Sequence, residues 1–231
     1  MSAVLSASAL GAALRARFQT VERIADLSNG PLTVTTPESA EALISEADFA
    51  RDERLPYWAD LWPSARALAD ALVTRVAMRP PGAAVERLLE IGCGAGLVAA
   101  QAARLGYDVT ATDYYDDAVA FARWNAWVNS GREIAGRVVD WRDLPNDLGV
   151  FDVVVGSDVL YERPYGALVA RALRATLSRT GVALITDPGR VGVEGFLQEC
   201  AALGLTVGAG DPRLISDGAV RHTVTLWQVT R

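Results

Sequence analysis

Histidine and cysteine are nearly absent from the sequence: His222 is the only histidine, and Cys93 and Cys200 are the only cysteines. With so few ligands no metal site is expected, and His222, at the start of an expected strand, fits a surface role better than that of a base. Two distant cysteines build no disulfide framework, so reduced thiols in a cytoplasmic protein are expected. Positive charge is short as well. The formal net charge of -6 argues against the broad basic surface that nucleic-acid backbones require. No apolar run reaches the roughly 18 residues that span a bilayer, so a soluble protein is expected, without membrane or nucleic-acid partners. The first stretch, "MSAVLSASALGAALRARF", lacks the basic residues that open a targeting peptide, because Arg15 and Arg17 follow its apolar run. A poorly ordered or amphipathic N-terminal helix is expected there instead.

What is present is apolar periodicity. Residues 30–50 begin with a β-like alternation, Leu32 and Val34, and pass through Pro37 into a helical pattern. Residues 1–53 therefore read as a small accessory segment, and residues 54–231 as the main domain. Pro63 and Ser64 open a helix with Leu68, Ala69, Leu72, Val73 and Val76 on one face. From residue 85 short apolar runs alternate with helix-length ones. Strands are expected near 87–91, 108–112, 138–141, 152–155, 181–186, 205–208 and 222–229, and helices near 96–105, 115–130, 164–178 and 192–203. This alternation predicts an α/β fold, a parallel sheet with helices on both faces. The last strand follows "AGDPRLISDGAVR", which has no helical pattern and reads as a loop, so the final two strands are expected to pair antiparallel.

The stretch "LLEIGCGAGLVAAQAARLGYDVTATDYYDDA" carries the first chemical signal. Gly92, Gly94 and Gly96 follow directly on an apolar run and precede a helix, so the backbone can turn sharply and approach a ligand. A dinucleotide fingerprint would place its third glycine where Leu97 or Ala99 stands. Glu90 decides further. A carboxylate beside a pyrophosphate is repelled, whereas beside the ammonium and sulfonium of S-adenosylmethionine it is favoured. Asp113, ending the second run, is suited to accept ribose hydroxyls in either case.

"LLEIGCGAG" together with "ATDY" resembles the class I, seven-β-strand, S-adenosylmethionine-dependent methyltransferases. The resemblance implies a Rossmann-like doubly wound sheet of strand order 3-2-1-4-5-7-6 with strand 7 antiparallel. It also implies that Asp140 and Trp141 in "VVDWRD" meet adenine. In "FDVVVGSDVLYERPY", three valines predict a buried parallel strand, from which Ser157, Asp158 and Tyr161 would emerge beside the transferable methyl group. "RLPYWADLWPSARALADAL" before the glycine motif, with D-x-x-Y after the fourth strand, is similar to methyltransferase family 16, which includes protein lysine methyltransferases. "DPGR" at 187–190 resembles the branch around the electron-transfer-flavoprotein β-subunit lysine methyltransferase and bacterial proteins described as nicotinamide N-methyltransferases.

By that resemblance the cofactor is S-adenosylmethionine, bound by Trp62, Glu90, Gly92, Gly94, Gly96, Asp113, Asp140, Trp141 and Ser157. Trp58 and Trp62 fit either a hydrophobic lid or, for Trp62, a direct contact. Asp158 and Tyr161 would stand at the acceptor, the first orienting an amine and the second offering a ring face to the developing cation. The expected function is an N-methyltransferase acting on a protein lysine. The alternatives are a small-molecule, nicotinamide-like acceptor and a non-catalytic cofactor-binding interaction protein.

Overall fold

The computed structural model describes residues 6–43, 55–218 and 220–231. After helix α1 (Ala7–Arg17) come the antiparallel pair β1 (Thr20–Ala25) and β2 (Leu32–Pro37). The expected boundary at 53 and 54 and most of the helical pattern after Pro37 lie outside the described residues. The remaining order is α2 (Pro63–Ala77), β3 (Arg87–Ile91), α3 (Leu97–Arg104), β4 (Asp108–Asp113), α4 (Asp116–Ser130), β5 (Ala135–Val138) and β6 (Phe151–Ser157). Then follow α5 (Arg163–Thr176), β7 (Leu177–Asp187), α6 (Val193–Ala202), β8 (Thr206–Val207), β9 (Asp211–Asp217) and β10 (Val220–Thr230). The sheet order is β5-β4-β3-β6-β7-β10-β8, parallel from β5 to β7 and antiparallel at β10. This is the predicted order 3-2-1-4-5-7-6.

Alternation along each strand sorts side chains to two faces. Leu88, Val153 and Val155 pack with α2, α3 and α4 through Leu68, Leu72, Val98 and Ala122. Leu89, Ile91, Val154 and Ile185 pack with α5 and α6 through Val169, Leu173 and Phe196. Helices on both faces leave the carboxyl ends of β3, β4, β6 and β7 as the open edge, where ligands collect in such sheets. Among the described residues no helix is long and apolar enough to cross a membrane.

Two expectations need correction. "AGDPRLISDGAVR" is not all loop: it contains β9, which pairs antiparallel with β10 from Asp211 opposite Leu226 to Asp217 opposite Val220. Leu214 on β9 is exposed, so no buried face imposes an apolar alternation on that segment. The strand expected at 138–141 is observed earlier, at Ala135–Val138. It is an edge strand whose burial pattern is weak, and Gly136 lies in it where the Val119 and Arg123 side chains press close.

The accessory segment shares the main core. Leu32 and Val34 of β2 are fully buried among α2, α3 and α4. Leu14 of α1 packs with Trp58, Ala118 and Phe121. The β2 backbone is held by two asparagines one helical turn apart. Asn125 Oδ1 accepts the Thr35 N–H at 2.8 Å, and its Nδ2 donates to the carbonyls of Thr35 and Ala95, each at 2.8 Å. Asn129 repeats the exchange with Thr33, accepting at 3.2 Å and donating at 2.8 Å. A helical turn of about 5.4 Å and two strand residues of about 6.6 Å are close enough in length for the two asparagines to reach alternate residues of β2.

Replacing Asn125 with leucine strands buried backbone groups on both β2 and the glycine turn. Asn125→Leu is expected to cost about 3 kcal/mol in denaturant unfolding. A loss below about 1 kcal/mol would show that the pairing contributes little.

Candidate active site

The glycine turn begins where β3 ends. Gly92 has φ +67°, and a Cβ there would lie 3.0 Å from Val159 and 3.2 Å from the Trp141 indole, filling the space between turn and ring. Gly96, the N-cap of α3, has φ +85°, and a Cβ there would come within 2.3 Å of the Ala122 Cα. The first glycine keeps a cradle open; the last lets α3 and α4 touch. Gly94 lies between them and donates its N–H to Asp113 Oδ2 at 2.9 Å.

Asp113 ends β4, and its Oδ1 also accepts the Tyr115 N–H at 3.1 Å. Burial nevertheless raises its carboxyl above the ordinary range, against the pull of the Gly94, Tyr115 and Tyr114 amides. Glu90, one residue before the end of β3, is buried, and its Oε2 has no hydrogen-bond partner. Burial pushes the Glu90 carboxyl well above the usual range, the charge of Asp113 adds to this, and the Ala99 amide opposes it. A buried acceptor without a donor, lining an open cavity, fits a ligand that brings a cation or an N–H.

The cavity measures about 360 Å³ and gathers all the expected site residues. Trp62, Glu90, Gly92, Gly94, Gly96, Asp113, Asp140, Trp141, Ser157, Asp158 and Tyr161 all line it. Two have partners that sequence reasoning did not supply. Asp140 is bound by Arg142 through Nε at 2.9 Å, Nη2 at 2.6 Å and the backbone N–H at 2.9 Å. Asp158 Oδ1 accepts Arg190 Nε at 2.7 Å, and Oδ2 accepts the Ser64 hydroxyl at 3.2 Å. Asp158 has φ +56°, the one non-glycine residue with positive φ among the described residues. Aspartate tolerates that region better than most residues, but holding it there costs on the order of 1 kcal/mol.

One wall of the cavity is a chain of aromatic rings in edge-to-face contact. Trp62 meets Tyr57 at 6.1 Å between centroids, Tyr57 meets Tyr161 at 5.7 Å, Tyr161 meets Tyr165 at 4.9 Å, and Tyr165 meets Trp141 at 5.6 Å. Burial and the neighbouring Tyr165 raise the Tyr161 hydroxyl far above its ordinary value, so it stays neutral. Trp58 also lines the cavity and is buried against Phe121 and Tyr115. Trp62 faces the cavity and donates its indole N–H to the Tyr57 carbonyl at 3.0 Å.

Three residues that line the cavity, Tyr57, Tyr165 and Arg190, and one that bonds Asp158, Ser64, were not singled out as site candidates in the sequence. Arg190 stood in "DPGR" and Ser64 beside the helix-opening Pro63, but nothing local marked either as an Asp158 partner. Tyr57 and Tyr165 carried no signal beyond their aromatic neighbours. Burial raises the Cys93 thiol well above its ordinary value and pushes Cys200 up to about 12, which favours the protonated form of both. His222 lies in β10, away from the cavity lining, and no group of potential metal ligands occurs among the described residues.

The raised carboxyl of Glu90 links stability to pH. The folded protein keeps that proton in a range where the unfolded chain, near pKa 4.3, has lost it. This contribution is present in acid and is lost as pH rises through the raised folded value. Without cofactor, Glu90→Gln should therefore gain melting temperature relative to the parent between about pH 5 and about pH 8. Parallel melting curves across that range would refute the burial cost assigned to Glu90.

The family described as a methyltransferase domain matches residues 38–221. A ubiquinone biosynthesis O-methyltransferase of Xanthomonas axonopodis pv. citri (strain 306) is 33% identical over 114 residues, 49% of this chain and 46% of that protein. A protein-lysine N-methyltransferase of Schizosaccharomyces pombe (strain 972 / ATCC 24843) is 33% identical over 116 residues, 44% of this chain and 38% of that protein. The chain thus spans less than half the length of these relatives. A TehB-like methyltransferase from Corynebacterium glutamicum shares the fold at TM-score 0.55 and 20% identity, over 80% of this chain and 93% of that one. A glycopeptide N-methyltransferase complexed with sinefungin, an analogue of S-adenosylmethionine, does so at TM-score 0.53 and 17% identity, over 70% and 91%. Matched by that family over most of its length and built on the same sheet, the chain belongs to the class I S-adenosylmethionine-dependent methyltransferases.

Proposed function

We propose that this protein transfers a methyl group from S-adenosylmethionine to a nitrogen, with a protein lysine as acceptor. The observation that carries this reading is the aromatic wall meeting the Asp158 carboxylate at one end of the cavity. S-adenosylmethionine supplies an electrophilic methyl group on a sulfonium, so little acid–base chemistry is asked of the protein. Its residues must orient a lone pair and keep water out.

The unpartnered Glu90 oxygen suits the cofactor's ammonium, and Asp113 suits its ribose hydroxyls. The turn of Gly92, Gly94 and Gly96 leaves room for it, with Trp141 and Asp140 at the adenine end and Trp62 and Ser157 toward the methyl group. A lysine amine, near pKa 10.4 in water, has a free lone pair only after losing its proton, which an apolar aromatic slot favours. Asp158, already held by Arg190, accepts a hydrogen bond from the amine and fixes its direction. Tyr161 gives the methylated product a ring face. A formal net charge of -6 does not favour a nucleic-acid acceptor, and buried free thiols suit a reducing cytoplasm. The relatives named as ubiquinone O-methyltransferases favour a second reading, a small-molecule acceptor in the same cavity.

Asp113→Ala should lower S-adenosylmethionine affinity at least tenfold by calorimetry; unchanged affinity removes Asp113 from the ribose. Incubation with methyl-labelled S-adenosylmethionine and a soluble lysate tests the acceptor. All 22 basic residues of the chain are arginines, so label on a protein lysine cannot be the enzyme's own. Label in lysines is expected. Label confined to small molecules would replace the lysine reading with the second one, and no label from a cofactor-loaded protein would leave a binding module.

A further inference from the structure

Two separate elements hold the Asp158 carboxylate and a third holds its backbone N–H, although its backbone conformation favours glycine. Ser64, in the first turn of α2, donates to Oδ2. Thr186, near the end of β7, accepts the Asp158 N–H at 2.9 Å through its carbonyl and donates its hydroxyl to the Ser64 carbonyl at 2.9 Å. Arg190, on the loop after β7, donates Nε to Oδ1. That loop is itself fixed, because Asp187 Oδ1 accepts the N–H groups of Gly189 and Arg190, each at 2.6 Å. The Arg190 guanidinium also lies over the Trp62 ring, 5.4 Å from its centroid. Arg190, Asp158 and Trp62 all line the cavity, so this is not an ion pair remote from the chemistry.

We propose that Arg190 is a positioning residue for methyl transfer: it locks the Asp158 carboxylate toward the acceptor while Trp62 holds its guanidinium. The inference rests on the reading of Asp158 as the group that orients the acceptor. Arginine suits the task because one cation makes both contacts, an Nε–H bond to the carboxylate and a position over the indole ring. The ammonium of lysine supplies the charge without that geometry. An Asp158 already bonded on both oxygens is a fixed acceptor, and its direction depends on Arg190.

The test combines transfer kinetics with a signal that needs no acceptor. Arg190→Gln should lower kcat at least tenfold, while KM for the labelled acceptor and affinity for S-adenosylmethionine each change less than threefold. In an Asp158→Asn background the same change should add nothing, since Arg190 acts through that carboxylate. Arg190→Lys keeps a cation beside Asp158 and guards against misfolding; it should restore the melting temperature and only part of kcat. Full activity of Arg190→Gln, or losses that multiply in the double variant, would overturn the proposal. In ¹⁵N NMR of the cofactor-loaded protein, the Arg190 Nε–H should exchange slowly and lose that protection in Asp158→Asn. A freely exchanging Nε–H in the parent overturns this inference whatever the acceptor is, whereas a parent that labels nothing overturns the transfer reading.

Discussion

Four carboxyl groups converge at the carboxyl edge of the sheet almost out of reach of water, and the cost of burying them organises the site. Glu90 and Asp187 are 1% exposed, and Asp113 and Asp158 are 7% exposed. A buried carboxylate without partners is strongly disfavoured, so the surrounding chain must either donate to it or leave it protonated. Asp113 takes amides from the glycine turn and from Tyr115. Asp187 takes two amides from the loop that carries Arg190. Asp158 takes a guanidinium and a hydroxyl. Glu90 and Asp187 each keep one oxygen unmet, and of these two only Glu90 lines the cavity beside the glycine cradle.

This pattern divides the cavity. At the glycine end the donors are backbone amides of one continuous stretch, residues 90–115, so geometry is set by the turn itself. At the other end the donors come from α2 and the loop beyond β7, and most of the aromatic wall from residues 57–62 and 161–165. The first end depends on local sequence; the second depends on the sheet order that sets β6 between β3 and β7. A change of acceptor would therefore require substitutions in several segments, whereas Glu90, the three glycines and Asp113 stand on one.

The same division explains what the sequence made legible. Glu90, the three glycines and Asp113 lie within one βαβ unit, and their spacing alone places them at one sheet edge. Asp158 was legible because it follows three valines of a buried strand. Arg190 was not, since its partner is 32 residues away and neither residue's neighbours indicate the pairing. The Arg142 partner of Asp140 was not legible because an arginine two residues on is too ordinary a neighbour to predict a chelated carboxylate. Strand β9 escaped because it is exposed, and β5 was displaced because an edge strand carrying Ala135 and Gly136 lacks the branched side chains by which strands are recognised.

The N-terminal hairpin bears on the site through a single side chain. Asn125 bonds the β2 backbone at Thr35 and, through the same amide nitrogen, the carbonyl of Ala95 in the glycine turn. Ala122, three residues earlier on α4, meets the α-carbon of Gly96 so closely that no side chain fits between. From the opposite side the Trp58 carbonyl lies 3.1 Å from where a Gly94 Cβ would stand, and Trp58 is packed against Phe18 and Phe121. The turn is thus clamped between α4 and the segment before α2, and α4 is in turn covered by α1 and β2. A loop of three left-handed glycines would have many conformations if free. Here its conformation is imposed by α4 and the segment before α2, which is why residues before the glycine motif matter to a site whose chemistry lies after it.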